Sequence, residues 1–192
     1  MKLVIATLLL VIAPTIVKAQ NFTLPNQDQK EVSLSDFKGK TVVLEWLNHG
    51  CPFVRKHYDS GNMQKLQEKW TKQGVVWLSI ISSAPGKQGH VTFKEAKSEG
   101  KSNNSKATHI LLDPDGRVGK LYQAKTTPHM FIFNGKGERV YQGAIDSIPD
   151  TQLDSIAKAT NYVDEALTQV SAKKKVTTAK TQAYGCSVKY AD

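Results

Sequence analysis

The chain has 192 residues, two cysteines and a formal net charge of +9 at pH 7. A chain of this length can bury a core without covalent staples, which excludes the class of small disulfide-rich domains. Its basic residues are not interleaved with aromatic side chains, so we expect no binding to nucleic acid. Much of the excess charge lies late, in a short basic run that is typical of a solvated linker, Lys173-Lys174-Lys175, and in Lys180.

The first residues predict export. Met1-Lys2 precedes an apolar run from Leu3 to Val17, and a small-x-Ala sequence ends at Ala19. A positive start, a short apolar core and such an end are the features of a secretory signal peptide. The run is short for a membrane span and contains Pro14, so we predict cleavage after Ala19 and no stable membrane anchor. The protein would be periplasmic in a Gram-negative bacterium and secreted otherwise.

Two strands and a helical segment follow in the first half of the chain. Thr41–Leu47 and Val75–Ser82 are short and nearly continuous in apolar character, as strands buried on both faces are. Between them a turn precedes a helical pattern that starts at Pro52 and ends at Gly74, with Asp59-Ser60-Gly61 as a candidate break. This order predicts a right-handed parallel crossover.

The remaining elements are shorter. The sequence predicts short extended segments at 22–25 and 31–34 and a strand at 110–112. It also predicts helical segments at 91–99, 118–122 and 153–171, and an antiparallel hairpin at 130–144. The hairpin turn is Asn134-Gly135-Lys136-Gly137. After Lys175 we predict an irregular tail that contains Cys186.

Cys51 directly precedes Pro52, at the predicted amino end of a helix. The N–H groups and dipole of a helix N-terminus lower the pKa of a cysteine, and the thiolate is the nucleophile. Arg55 lies one turn further along and would favour the thiolate if its guanidinium leans toward the sulfur. The pattern predicts that Cys51 is a reactive thiol, and the alternative is a buried, inert one.

Cys186 lies 135 residues beyond Cys51. A mobile second thiol could attack an oxidised Cys51 and resolve it as a disulfide. A permanent structural disulfide, or pairing between molecules, remains open at this stage. Val54 stands where a Cys-x-x-Cys motif would have its second cysteine, so exchange between neighbouring cysteines is excluded.

The order of elements resembles the thioredoxin superfamily, and several segments resemble its alkyl hydroperoxide reductase/thiol-specific antioxidant (redoxin) group. These segments are Phe22–Pro25, Val32–Lys40, Asn48–Tyr58, Leu112–Gly116, Lys125–Phe131 and the tail at Tyr184–Ser187. Asn48–Tyr58 resembles a peroxiredoxin-like branch. The resemblance implies an α/β, thioredoxin-like three-layer fold whose central mixed sheet is flanked by helices. It also implies a cis-proline loop in which Pro128, after Thr127, faces the reactive sulfur.

We therefore predict an exported, cofactor-free thiol oxidoreductase that acts on peroxides or protein disulfides and draws on a separate reductant. Its segments are a signal peptide (1–19), a redoxin domain (20–171) and a basic linker with a cysteine-containing tail (172–192). Catalysis is assigned to Cys51, Cys186 and Arg55, and substrate binding to Thr127, Pro128, Asn48 and Trp46.

One departure from the family weakens the prediction of a peroxidase. The peroxiredoxin pattern Pro-x-x-x-Thr-x-x-Cys would place its Pro at Leu44 and its Thr at Asn48. The hydroxyl that helps to bind peroxide is therefore missing, although Asn48 could donate a hydrogen bond instead.

Two other function classes remain open. His49, Cys51 and His129 could meet if Pro128 faces Cys51, and imidazole with thiolate suits copper or zinc. That set would make the protein a periplasmic copper chaperone. The third hypothesis is a redox-inert interaction module with a fixed Cys51–Cys186 disulfide.

Overall fold

The computed structural model describes residues 17–191, which fold around a five-stranded mixed sheet. The strands are β1 (Thr23–Pro25), β2 (Glu31–Ser33), β3 (Val42–Trp46), β4 (Val76–Ile81), β5 (His109–Leu112), β6 (Thr126–Thr127), β7 (His129–Phe133), β8 (Arg139–Gly143) and β9 (Cys186–Ser187). The helices are α1 (Pro52–Asp59), α2 (Asn62–Thr71), α3 (Phe93–Ser102), α4 (Arg117–Tyr122) and α5 (Tyr162–Ser171). Short 3₁₀ helices cover Leu34–Phe37 and Leu153–Lys158.

The central sheet has the strand order β5-β4-β3-β7-β8. Strands β3, β4 and β5 run parallel, and β7 and β8 run antiparallel to their neighbours. Every residue of β3 and β4 is buried, as their continuous apolar sequences predict. The parallel pairing of β3 with β4 encloses α1 and α2, so the predicted crossover is confirmed.

Side chains of β3 alternate between two hydrophobic cores, one on each face of the sheet. Val43 and Leu47 pack into a core that receives α1, α2, α3 and α5. Val42 and Leu44 pack into the other core, under the β1–β2 hairpin and α4. The predicted α/β three-layer fold is therefore confirmed.

The long helical segment is divided as the sequence suggests. Helix α1 ends at Asp59 and α2 begins at Asn62. Gly61 lies between them with φ of +72°, a conformation that glycine adopts without strain. The break lets α2 change direction and bring Met63, Leu66 and Trp70 into the core.

The C-terminal tail is irregular up to the two-residue strand β9, as predicted, but it is packed on the domain. Val176 belongs to the first core and Val188 to the second. Strand β9 pairs antiparallel with β6. The backbone N–H of Thr181 also donates to Gln142 O at 3.0 Å. The division of the chain at residue 171 stays a prediction.

Residues 1–16 of the predicted signal peptide lie outside the described part of the chain. Its last residues contact the β7–β8 hairpin: Val17 O accepts from Arg139 N at 2.8 Å, and Ala19 N donates to Gly137 O at 2.8 Å. Cleavage after Ala19 stays a prediction. Between residues 17 and 191, no helix has the length and apolar character needed to span a membrane.

Candidate active site

Cys51 lies at the junction of β3 and α1. It is the N-cap residue of α1, and Pro52 occupies the first turn, where its missing N–H costs nothing. The Cys51 side chain is fully buried. Its Sγ lies 3.0 Å from the carbonyl oxygen of Thr127, to which the thiol donates a hydrogen bond. The Thr127–Pro128 bond is cis, as predicted, and thus lies directly beside the sulfur.

Cys186 reaches the same point from the other end of the chain. Strand β9 pairs with β6 so that Cys186 lies opposite Thr127. The two thiols are within hydrogen-bonding reach of each other, and both cysteines are free. Two residues that are 135 positions apart in the sequence therefore meet at one helix N-terminus.

The surroundings favour ionisation of Cys51 over Cys186. Burial raises the pKa of Cys51, but the hydrogen bonds of the Cys186 thiol and of the Val54 amide in the first turn of α1 contribute to outweighing it, and the pKa is lowered. Burial and the neighbouring Cys51 raise the pKa of Cys186 to about 11. Cys51 is therefore the better nucleophile of the pair, and Cys186 retains its proton.

Arg55 is directed away from the sulfur. Its guanidinium pairs with Asp59 and donates to Asn103 Oδ1 at 2.9 Å. His49 adds no positive charge near pH 7, because burial lowers its pKa to about 4. The assignment of Arg55 as an electrostatic helper stays a prediction, and the lowered pKa of Cys51 has other causes.

Asn48 shapes the turn before Cys51. Its Oδ1 accepts from Gly50 N at 2.9 Å, and its Nδ2 lies 3.3 Å from Gln88 Oε1. Gln88 in turn donates from Nε2 to Gly50 O at 2.7 Å. With these partners Asn48 is not aimed at the thiol, so its assignment to substrate binding has no geometric support.

Trp46 lies on the other face of the sheet from Cys51. Its fully buried ring packs into the second core, and Nε1 donates to Ser82 Oγ at 3.1 Å. The strand alternation that places Val43 and Leu47 on the helix face puts Trp46 on the opposite one. In this position Trp46 supports the sheet beneath the site, and its assignment to substrate binding stays a prediction without geometric support.

The alternative metal set is not assembled. His129 accepts at Nδ1 from Lys125 N at 3.2 Å, and its ring stacks on Phe131 with a centroid distance of 4.4 Å. Within residues 17–191, no group of three or more His, Cys, Asp or Glu side chains is arranged to hold a metal ion. The copper-chaperone hypothesis, which needed His49, Cys51 and His129 together, therefore lacks its site.

Comparison with known proteins identifies the family of this chain. Residues 17–141 match the model of the AhpC/TSA family. The chain belongs to the AhpC/TSA family. A curated relative, the thiol-disulfide oxidoreductase ResA of Bacillus subtilis (strain 168), is 28% identical over 122 residues. That match covers 64% of the chain and 63% of the length of ResA.

Solved structures resemble this AhpC/TSA fold over most of its length. A protein from Geobacillus kaustophilus has a TM-score of 0.77 with 24% identity, and the match covers 94% of each chain. A protein from Sinorhizobium meliloti 1021 has a TM-score of 0.76 with 22% identity, covering 94% of this chain and 97% of the other. A putative protein disulfide isomerase from Bacteroides thetaiotaomicron reaches 0.57 with 17% identity, covering 80% and 87%. These likenesses support the thioredoxin-like fold.

Sequence reasoning missed Glu45, a fully buried carboxylate on the helix face of β3. It accepts hydrogen bonds from Trp77 Nε1 at 2.8 Å, Ser79 Oγ at 2.8 Å, Tyr58 OH at 3.0 Å and Gln67 Nε2 at 3.1 Å. Burial nevertheless raises its pKa. The signal was present in the sequence, as a single acidic residue inside an otherwise apolar strand.

Sequence reasoning also missed a second buried polar cluster, formed by Lys56 of α1, Asp146 and Tyr184 of the tail. Lys56 and Asp146 are each almost completely buried, and Lys56 Nζ lies 3.3 Å from Asp146 Oδ2. The Tyr184 hydroxyl donates to Asp146 Oδ1. Nothing in the spacing of these residues predicts their contact, because they come from three distant segments.

Proposed function

We propose that this AhpC/TSA-family protein is an exported thiol–disulfide oxidoreductase with Cys51 and Cys186 as its redox pair. The observation that carries the proposal is the contact of the two thiols at the N-terminus of α1, beside Thr127 and the cis-proline Pro128. The lowered pKa of Cys51 supports its role as the attacking thiol. The name of the ResA relative supports the same reaction class.

The reaction has two exchange steps. In the first, the Cys51 thiolate attacks a substrate disulfide, a mixed disulfide forms, and one substrate sulfur leaves as a thiolate. In the second, Cys186 loses its proton to that leaving thiolate or to water and attacks Cys51 Sγ. The Cys51–Cys186 disulfide forms and the second substrate thiol leaves. The substrate is reduced by two electrons and the protein is oxidised by two; an external thiol reductant reverses the change.

Access to Cys51 requires movement of the tail. The Cys51 side chain is fully buried, and Cys186 is the half-buried residue beside it. When β9 separates from β6, the sulfur and the backbone edge at Thr126–Thr127 become free together. An extended substrate segment can then pair with that edge and place its disulfide where Cys186 had been.

Protein disulfides fit this site better than peroxides. A peroxidase needs hydrogen-bond donors directed at the peroxide oxygens, and the two candidate donors have other partners. Arg55 is engaged by Asp59 and Asn103, and Asn48 by Gln88 and Gly50. A substrate that binds by its backbone has the β6 edge available instead.

The proposal includes the organisation of the chain. Removal of residues 1–19 would leave a domain over 20–171, followed by a tail over 172–192 that supplies the second cysteine. The predicted leader supports an extracytoplasmic location, which is the periplasm in a Gram-negative bacterium. The site needs no cofactor for the exchange steps.

Trapping of the mixed disulfide tests the proposal. In the Cys186→Ser variant the second step is blocked, so a disulfide-linked peptide added to the reduced protein should remain attached to Cys51. The wild type should instead accumulate the Cys51–Cys186 disulfide and release the peptide thiols. The full chain is expressed with its leader, and mass spectrometry of the exported product reads both the adduct and the amino terminus, expected at Gln20.

The matched control is Cys51→Ser, which should form no adduct under the same conditions. Adducts on Cys186 in that variant, or none on Cys51 in Cys186→Ser, would contradict the assigned order of attack. In a parallel reaction, hydrogen peroxide replaces the peptide disulfide and the two rates of Cys51 oxidation are compared. If peroxide oxidises Cys51 much faster than the peptide disulfide does, peroxide is the substrate.

A further inference from the structure

A buried polar contact joins the tail to α1, and we propose that Tyr184 is the positioning residue that holds Cys186 against Cys51. The proposal rests on the proposed function, because it concerns how the resolving thiol is presented. Tyr184 precedes Cys186 by two residues. Its hydroxyl reaches Asp146, which is buried against α1.

Tyr184 makes three different contacts. Its hydroxyl donates to Asp146 Oδ1. Its ring lies edge-on to Phe53 of α1, with a centroid distance of 5.8 Å. Lys56 Nζ lies over the same ring at 5.8 Å from its centroid. Because Phe53 and Lys56 follow Cys51 on the same short helix, the ring is fixed relative to the reactive sulfur.

The acceptor of this hydroxyl is itself held in place. Asp146 is 3% exposed, and Lys56 Nζ compensates its charge at 3.3 Å. Lys56 also lies 3.1 Å from Asp150 Oδ1 and donates to Ile148 O at 2.7 Å. Asp146 Oδ1 also accepts from Ile148 N at 3.1 Å, so loss of the Tyr184 hydroxyl would remove one of the two hydrogen-bond donors of this buried oxygen.

The path from Tyr184 to Cys186 is constrained at Gly185. Its φ is +137°, and a Cβ at this position would lie 2.2 Å from Thr127 O, the oxygen that accepts from Cys51. On the far side the strand is held by Val188 N, which donates to Lys125 O at 3.1 Å. With both sides fixed, the Cys186 side chain is held at the sulfur of Cys51.

The contact therefore sets how often the tail is closed. A closed tail raises the effective concentration of Cys186 at Cys51, which favours the intramolecular disulfide, and it buries Cys51. Weakening the contact should lower that effective concentration and expose Cys51. The two effects have opposite signs on reactivity: the intramolecular disulfide forms less readily, and Cys51 reacts faster with an external reagent.

The test is the Tyr184→Phe variant, which keeps the ring and removes the hydroxyl. Full-length protein is equilibrated in glutathione buffers, and the Cys51–Cys186 disulfide is quantified by acid quench and mass spectrometry. We expect the effective concentration to fall about tenfold, as loss of one hydrogen bond to a charged group predicts. In the Cys186→Ser background, we expect Tyr184→Phe to speed alkylation of Cys51 by a similar factor.

Tyr122→Phe is the matched control. It likewise removes one tyrosine hydroxyl, but this hydroxyl donates to the backbone oxygen of Gln20 and lies outside the tail. It should change neither measurement. Equal values in wild type and Tyr184→Phe, with a normal disulfide in both, would overturn the role of Tyr184 alone. Absence of the Cys51–Cys186 disulfide in the wild type would overturn the proposed function itself.

Discussion

Glu45 shows how one residue can make the stability of this protein depend on pH. Burial raises the pKa of Glu45 above its ordinary value of 4.5, so the folded state retains a proton that the unfolded state has lost. The contribution of Glu45 to the free energy of unfolding is therefore fully present below about pH 4.5, and it is lost as pH rises through the raised pKa of Glu45 in the folded protein. Four hydrogen bonds to the carboxylate limit that loss.

We expect the Glu45→Gln variant to lose this dependence, because glutamine does not titrate. Urea unfolding between pH 4.5 and 8 should show the free energy of unfolding of the wild type falling with pH relative to that of Glu45→Gln. Buried His49, His57 and His129, whose pKa values are lowered to about 4, act in the opposite direction and equally in both proteins. Glu68→Gln is the control, since Glu68 is an exposed partner of Lys72 and contributes little. A wild-type slope equal to that of Glu45→Gln would contradict the buried, raised carboxyl.

Among single residues, the sequence predicted those whose role depends on local structure. Cys51 was found because a helix start and a following proline are visible in the sequence, and Thr127–Pro128 because the family resemblance identifies the loop. The position of Trp46 on the sheet's other face could have been predicted from the alternation of β3. Lys56 and Tyr184 could not be found, because their contact joins segments 128 residues apart.

At the scale of elements, the two-residue pair β6–β9 decides where Cys186 lies. Gly185 enters this pair with φ of +137° and leaves no room for a Cβ beside Thr127 O. We expect Gly185→Ala to separate the two strands and to slow formation of the Cys51–Cys186 disulfide at least tenfold, measured by quenched oxidation with a peptide disulfide.

The control for Gly185→Ala is Gly74→Ala. Gly74 also has a positive φ, +85°, but nothing lies within 4 Å of a Cβ built there. It should lower stability by about 1 kcal/mol through backbone strain and leave disulfide formation unchanged. If both variants slow the disulfide equally, strain and not the clash with Thr127 is responsible.

The helices and strands that could be predicted are those that depend on local sequence, and the one that could not depends on a distant contact. Strands β3 and β4, helices α1 and α2 and the β7–β8 hairpin carry their signals in their own residues, and the structure has them. Strand β9 has two residues and no apolar alternation. Its existence depends on pairing with β6, so the sequence alone indicated an irregular tail.

For the whole molecule, a disulfide between Cys51 and Cys186 would close a loop of 135 residues. In the chain-entropy account, such a loop stabilises the folded state by about 5 kcal/mol. We expect the oxidised protein to unfold at a clearly higher urea concentration than the reduced protein. A double Cys51→Ser, Cys186→Ser variant should unfold at one concentration with or without reductant, and equal midpoints for oxidised and reduced wild type would contradict the prediction.

The distance along the chain between the two cysteines also has a consequence for synthesis. A ribosome makes Cys51 well before Cys186, and an export channel that passes the chain from its amino end would deliver them in the same order. During that interval Cys51 has no partner within its own chain. A newly made Cys51 is therefore open to other thiols and oxidants until the segment around Tyr184 has been made and closes over it.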